Sequence, residues 1–236
     1  MDVVDLRPDL RMLLADPGQA YLFRRGTDVT LVDTGRVGCG ADVADALRGW
    51  GEDLGALRRI VLTHWHDDHA GSAAEIGAWP GVRVYAHRLD APVVRGVWAR
   101  RDPVFTAAEI ALHAQVAGDL PPAPPARVDD ELVDGDVVPG LGARVIATPG
   151  HTDGSIALLL PDEGVLFTGD IAAHAQDQVI LGPFNFDRAT AAESFRRMGG
   201  LELDAVCFGH GPALLGAATE ALAAAAAAPR VPDPLG

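Results

Sequence analysis

"RRIVLTHWHDDHAGS", Arg58–Ser72, decides the reading of this chain: an apolar, β-branched run ends at Thr63, and three imidazoles and two carboxylates follow within His64 to His69. In an extended segment residues i and i+2 face the same side, so His64 and His66 can aim at one ion together. Asp68 and His69 then turn the other way. A helix beginning near Ala70 would hold them at its first turn, where a short bend aims them at a second ion about 3.5–4 Å away. The lone histidines His87, His113 and His174 read instead as surface or satisfied core residues.

Four ligands cannot complete two sites, and the rest of the chain offers more at strand ends. "TPGHTDGS" presents His151, "LFTGD" presents Asp170 and "CFGHG" presents His210. Each stands just beyond an apolar run and beside glycines that let backbone approach closely. Seven ligands are then available, with Asp170 as the natural bridge.

Outward from this cluster, strands and helices alternate. "AYLFRRGTDVTLVDTG" reads as two strands around Gly26-Thr27-Asp28, and "RRIVLTH" and "VRVYAHR" as two more. "ADVADALRGWG", "DLGALRR" and "GSAAEIGAW" have helix-forming composition. The second half repeats the style, with strands at "ARVIATPG", "SIALLLPDEGVLFTGD" and "AVCFGHG" and helices at "RATAAESFRRM" and "ALLGAATEALAAAAAA". Residues 89–130 read as an inserted flap holding one helix from about Thr106 to Ala117 and ending in a Pro-rich connector. The expected organisation is a single domain over 1–228 with a loose tail at 229–236.

The 236 residues are 48% hydrophobic and 22% charged, the profile of a soluble globular protein. The net charge is −14 and all 19 basic residues are Arg, so no tract for a phosphate backbone is visible and nucleic acid is excluded as an expected partner. The N-terminus has no basic or long apolar region of a secretion signal, and the Ala-rich stretch is too short to span a bilayer; the expectation is a cytoplasmic protein with no membrane partner. Cys39 and Cys207 form no CxxC motif and read as free thiols. "GRVGCG", with Gly35, Gly38 and Gly40, fits neither the dinucleotide nor the P-loop fingerprint.

With these residues in hand, the chain resembles the metallo-β-lactamase superfamily, whose HxHxDH motif is matched at His64, His66, Asp68 and His69. Later motifs match at Pro149-Gly150-His151-Thr152, Thr168-Gly169-Asp170 and Gly209-His210-Gly211, and "VTLVDTG" resembles the strand and turn that carry a supporting Asp, here Asp33. The resemblance implies an α/β (α+β) fold, a four-layer αβ/βα sandwich of two mixed β-sheets flanked by helices. It implies one metal on His64, His66 and His151, another on Asp68, His69 and His210, and Asp170 with a hydroxide between them. The motifs are most similar to the glyoxalase II-like and general hydrolase branch. Two features depart from its named members: no basic C-terminal extension for glutathione exists, and the position three residues after Asp170, Tyr in lactonases of this fold, is Ala173.

The expected activity is hydrolysis of a small ester, thioester, lactone or related small molecule by a hydroxide bridged by two Zn2+ ions, with Fe or Mn as alternatives and Asp68 orienting the attacking oxygen. His174, Phe184, Phe186 and Trp98 are candidate pocket residues, and Arg95, Arg100 and Arg101 could meet an anionic substrate. Alternatives are a mononuclear-iron oxidoreductase of the persulfide dioxygenase type, a phosphodiesterase, and a non-catalytic metal-binding domain.

Overall fold

The computed structural model describes residues 1–116 and 119–229. The chain folds as two compact units: residues 1–99, 120–132 and 139–141 make the first, and residues 100–119, 133–138 and those from 142 onward make the second. The flap expected over 89–130 is therefore divided between them. The expected end of its helix at Ala117, and the loose tail beyond Pro229, lie outside the described residues.

The first unit is built on a seven-stranded sheet in the order β1 (Asp2–Arg7), β2 (Leu10–Leu14), β3 (Gln19–Arg25), β4 (Asp28–Val32), β5 (Leu57–Val61), β6 (Arg83–His87) and β7 (Asp130–Leu132). Strands β1 to β4 run antiparallel, and β4 to β7 pair in parallel. Parallel neighbours need crossovers. α1 (Gly40–Arg48) supplies one between β4 and β5, and α2 (Asp67–Ala70) with α3 (Ala73–Gly77) supplies the next. Strands β3 to β5 are mostly buried, as interior strands are, although β5 carries Arg58 and the buried Arg59 among its apolar residues. Edge strand β1 is mostly exposed and carries Asp2 and Asp5, charges that discourage edge pairing. A short α4 (Ala91–Val94) follows β6.

The second unit holds α5 (Ala107–Val116) and a five-stranded sheet of β8 (Arg144–Ala147), β9 (Ile156–Leu160), β10 (Val165–Gly169), β13 (Ala205–Phe208) and β14 (Leu214–Leu215), with a separate hairpin of β11 (Ala172–Ala175) and β12 (Gln178–Leu181). β8 and β10 both run antiparallel to β9, and β13 runs parallel to β10. The carboxyl ends of β8, β10 and β13 therefore point the same way. α6 (Arg188–Met198) and α7 (Ala218–Ala227) bury Ala191, Phe195, Met198, Ala218 and Leu222 against Leu166, Val206 and Phe208 of this sheet. A buried phenylalanine such as Phe195 is worth about 3–5 kcal/mol against alanine. Asp187 starts α6 by accepting the N–H of Thr190 at 3.0 Å.

Several elements differ from the sequence expectation. "DLGALRR" is not a helix: Leu54–Ala56 form one 3-10 turn capped by Asp53, and β5 begins at Leu57, where Leu57, Ile60 and Val61 are buried. Helix α2 starts at Asp67 rather than near Ala70, with His66 as its extended N-cap. Leu214–Leu215 pair with β13, so the Ala-rich helix starts only at Ala218. One face of it is buried, with Ala218, Leu222 and Ala226 turned inward. Hairpins β1–β2 and β11–β12 were not among the expected strands.

Candidate metal centre

The first unit carries His64, His66, Asp68 and His69 just beyond β5, at the carboxyl end of its parallel strands, where open α/β sheets bind ligands. A buried hydrogen-bond system orients them. The carboxylate of Asp33, 3% exposed, accepts the Thr63 N–H at 2.7 Å and the Thr63 hydroxyl at 2.7 Å, and lies 2.9 Å from His69 Nδ1. A carboxylate only accepts, so His69 carries its proton on Nδ1 and presents Nε2 as its lone-pair nitrogen. Thr63 gives its one hydroxyl proton to Asp33. The 3.0 Å contact between Thr63 Oγ1 and His64 Nδ1 is then donated by the ring, so His64 also presents Nε2.

Asp33 thus fixes a proton on Nδ1 of two imidazoles and leaves Nε2 of each as the nitrogen that can face a metal. Its own backbone is left-handed, φ 57°, a conformation that Asp tolerates and that turns the chain just after β4. Thr34 fastens the same turn to the metal-ligand stretch, its N–H and hydroxyl donating to the His69 carbonyl at 2.7 and 2.8 Å. Gly71 follows because the chain packs on itself there: a Cβ would stand 2.4 Å from both Val37 N and Asp67 O. Asp67, the other acid of the stretch, accepts the Ala123 N–H at 2.6 Å and anchors the Pro-rich connector.

The second unit carries His151, Asp170 and His210 beyond β8, β10 and β13. One oxygen of the buried Asp170 carboxylate, Oδ2, lies 3.1 Å from His210 Nε2 and 3.6 Å from His151 Nε2. His174, a candidate pocket residue, is hydrogen-bonded to the His210 loop. Its main-chain N–H donates to the His210 carbonyl at 3.0 Å, and its ring Nδ1 donates to the Pro212 carbonyl at 2.8 Å, so it braces the His210 loop. Phe186 is buried under the Arg101 guanidinium, 4.6 Å from its ring centroid, and Arg101 also pairs with Asp153 at 2.9 Å. Phe184 packs edge-to-face on Phe105 and His113. Trp98 belongs to the first unit and is 55% exposed.

The spacing of the donors suits a metal. Two nitrogens about 2.0–2.1 Å from a tetrahedral ion sit about 3.3 Å apart. His64 Nε2 and His66 Nδ1 are 3.1 Å apart and His69 Nε2 and Asp68 Oδ2 are 3.5 Å apart, within the same range as the pairs at Asp170. Imidazole and carboxylate donors together suit zinc, iron or manganese.

Cys39 is tied to this stretch through Ser72, whose hydroxyl accepts the Cys39 N–H at 2.8 Å. It is a free thiol, as the sequence suggests, and only 3% exposed. Burial pushes its thiol up, outweighing the nearby Arg36 guanidinium. Both Cys39 and the buried Cys207 are therefore expected to resist iodoacetamide in the native protein and to react promptly in denaturant, as read by mass spectrometry. Rapid native alkylation of Cys39 would contradict its buried, protonated state.

Among the described residues two buried acids, Asp90 and Glu109, stand outside the set drawn from the sequence. Glu109 of α5 is 1% exposed and ion-paired with Arg188 at 2.5 Å. Its signal was the capping-box spacing Thr106-x-x-Glu109: the Glu109 carboxylate accepts the Thr106 N–H at 2.7 Å, and Thr106 Oγ1 accepts the Glu109 N–H at 3.2 Å.

Comparison with known proteins bears on this arrangement. Residues 13–210 match the sequence family described as the metallo-beta-lactamase superfamily. The chain is 34% identical to a probable metallo-hydrolase, YflN, of Bacillus subtilis, over 79% of this chain and 76% of the relative. It is 26% identical to an atrochrysone carboxyl ACP thioesterase of Claviceps purpurea over 75% of this chain, but spans only 50% of that relative. Among solved structures, a metallo-beta-lactamase of Cronobacter sakazakii superposes with a TM-score of 0.67 at 23% identity, over 89% of this chain and 78% of the other. TTHA1623 in a di-iron-bound form superposes with a TM-score of 0.64 at 27% identity, over 86% and 92%. These neighbours and the two helix-flanked mixed sheets support the α/β sandwich fold of that superfamily. Among the described residues no helix is long and apolar enough to cross a membrane.

Proposed function

Because the chain belongs to the metallo-β-lactamase superfamily, we propose that it is a dinuclear metal hydrolase acting on small thioesters, with esters and lactones as related substrates. The observation that carries this reading is the Asp33–Thr63 system, which holds His64 and His69 in the metal-binding tautomer. A structural role alone does not require both Nε2 atoms to be lone-pair donors. In this reading His64, His66 and His151 hold one divalent ion, Asp68, His69 and His210 hold the other, and Asp170 serves both.

When bound, such ions lower the pKa of water toward neutrality and polarise a carbonyl oxygen. The chain's own groups then have defined tasks. The Asp68 carboxylate orients the attacking water and takes its proton. Asp33 keeps His69 from rotating, and His174 steadies the loop of His210. A thiolate leaves readily without a proton donor, which suits a site with no Lys and with acids as its neighbours.

The thioester preference draws on the likeness to the Claviceps thioesterase. Zinc is our reading of the metal. Iron at the same ligands is a second reading, favoured by the di-iron-bound neighbour. The test is a panel of small acyl thioesters, esters, lactones and phosphodiesters assayed with zinc-loaded and iron-loaded protein. Turnover highest on a thioester is expected. Activity confined to phosphodiesters, or absent on the whole panel with both metals, would overturn the reading.

A further inference from the structure

Residues 100–116 of the second unit reach the loop of residues 182–187 through Arg101 over the Phe186 ring, the Val104 N–H on the Asn185 carbonyl at 3.1 Å, Phe105 and His113 against Phe184, and the buried acid Glu109. Besides Thr106 and Arg188, the Glu109 carboxylate accepts the N–H of Phe184 at 3.1 Å. Burial alone would push this carboxyl up, yet the Thr106 N–H, the Arg188 guanidinium and the Phe184 N–H together hold it below its ordinary value. The ionised form is the one that binds the loop.

The loop it grips is tied on its other side to the backbone of His151 and of Gly150 and Ile171, the neighbours of two candidate ligands. Gly182 N donates to Ile171 O at 3.2 Å, and a Cβ at Gly182 would lie 1.9 Å from the Asp170 carbonyl. Phe186 N donates to His151 O at 3.3 Å, and Asp187 N to Gly150 O at 2.9 Å. Phe184 stands two residues from each of these anchors, so its Cα is within about 8 Å of both Gly182 and Phe186 Cα. Its own backbone is left-handed, φ 63°, a strain of about 1–3 kcal/mol for such a side chain. A strained aromatic held by a buried carboxylate is an over-determined position. With Phe105, 5.9 Å away between centroids, and His113, 5.3 Å away, it forms a partly exposed aromatic face.

We propose that Glu109 is a positioning residue: it fixes Phe184 and, with it, an aromatic face that receives the apolar acyl group of the substrate. The acyl-selection part rests on the hydrolase reading above; the positioning part rests on the second unit alone. Two measurements on the full chain separate them. Glu109→Gln keeps an oxygen for the Phe184 N–H but turns donors toward Thr106 N and Arg188.

Hydrogen exchange of peptide 182–188 is expected to speed up about tenfold or more in Glu109→Gln, with β9 and β10 unchanged, the scale of losing one or two charged hydrogen bonds. KM for a phenylacetyl thioester is expected to rise about tenfold, while KM for the acetyl thioester stays within about twofold and kcat and bound metal hold for both. Arg188→Lys, which keeps the charge, should show both effects at smaller amplitude, and serves if Glu109→Gln fails to fold. Unchanged exchange would overturn the positioning role. Accelerated exchange with both KM values rising together would overturn acyl selection. A wild-type chain inactive on every thioester would sink the hydrolase reading and acyl selection together, while the exchange result alone would still decide whether Glu109 holds the loop.

Discussion

Asp68→Asn is expected to lower kcat by about 10²- to 10⁴-fold, the range for losing a positioned general base. The substitution keeps the side chain's shape but removes its charge and its ability to take a proton. It can also turn an amide donor toward His69 Nε2, which Asp68 Oδ2 approaches at 3.5 Å. The assay should be run at saturating metal, so that weakened binding of an ion is separated from lost chemistry. A variant that regained nearly full kcat on adding metal would restrict Asp68 to holding the ion.

Substitution of Asp33 is expected to act through His69 and His64 without touching substrate. Asp33→Asn suits the left-handed backbone as well as Asp does, so it isolates the hydrogen-bond chemistry. One amide oxygen can still accept the Thr63 N–H. The NH2 group then faces the Thr63 hydroxyl and His69 Nδ1–H, donors against donors. The expected result is a loss of about 10- to 100-fold in metal affinity. Stability should fall by about 1–3 kcal/mol, because buried donors lose their acceptor. Metal titration and denaturant unfolding read the two effects separately. Asp33→Ala adds backbone strain and should lose more stability. Wild-type metal affinity in Asp33→Asn would remove the tautomer argument.

The α/β alternation of the fold was legible in sequence, and the cluster of candidate ligands stood out within it. HxHxDH behind an apolar strand, and His and Asp in glycine turns after later strands, stand out because ligand atoms must sit where strands end. The supporting hydrogen bonds were not legible to the same degree: Asp33 lies 30 residues before Thr63 and 36 before His69, and only parallel pairing of β4 with β5 brings them together. Hairpin β1–β2 went unread although Pro8-Asp9 marks its turn, because exposed β1 lacks apolar alternation. "DLGALRR" has helical composition, yet burial of Leu57, Ile60 and Val61 draws its end into the sheet. Tertiary burial outweighs a propensity of a few tenths of a kcal/mol per residue. Glu109 carried a capping-box spacing that identifies a helix start, but its grip on Phe184, 75 residues later, is a product of folding.

The central claim is that seven side chains hold two ions, and elemental analysis of metal per chain tests it most directly. Wild-type protein purified in metal-replete medium, alongside His66→Ala and Asp170→Ala, should contain about two divalent ions per chain, with each variant losing at least one and losing turnover with it. A wild-type chain that hydrolyses its substrate while holding no metal, or variants that retain the full complement and full activity, would contradict the account.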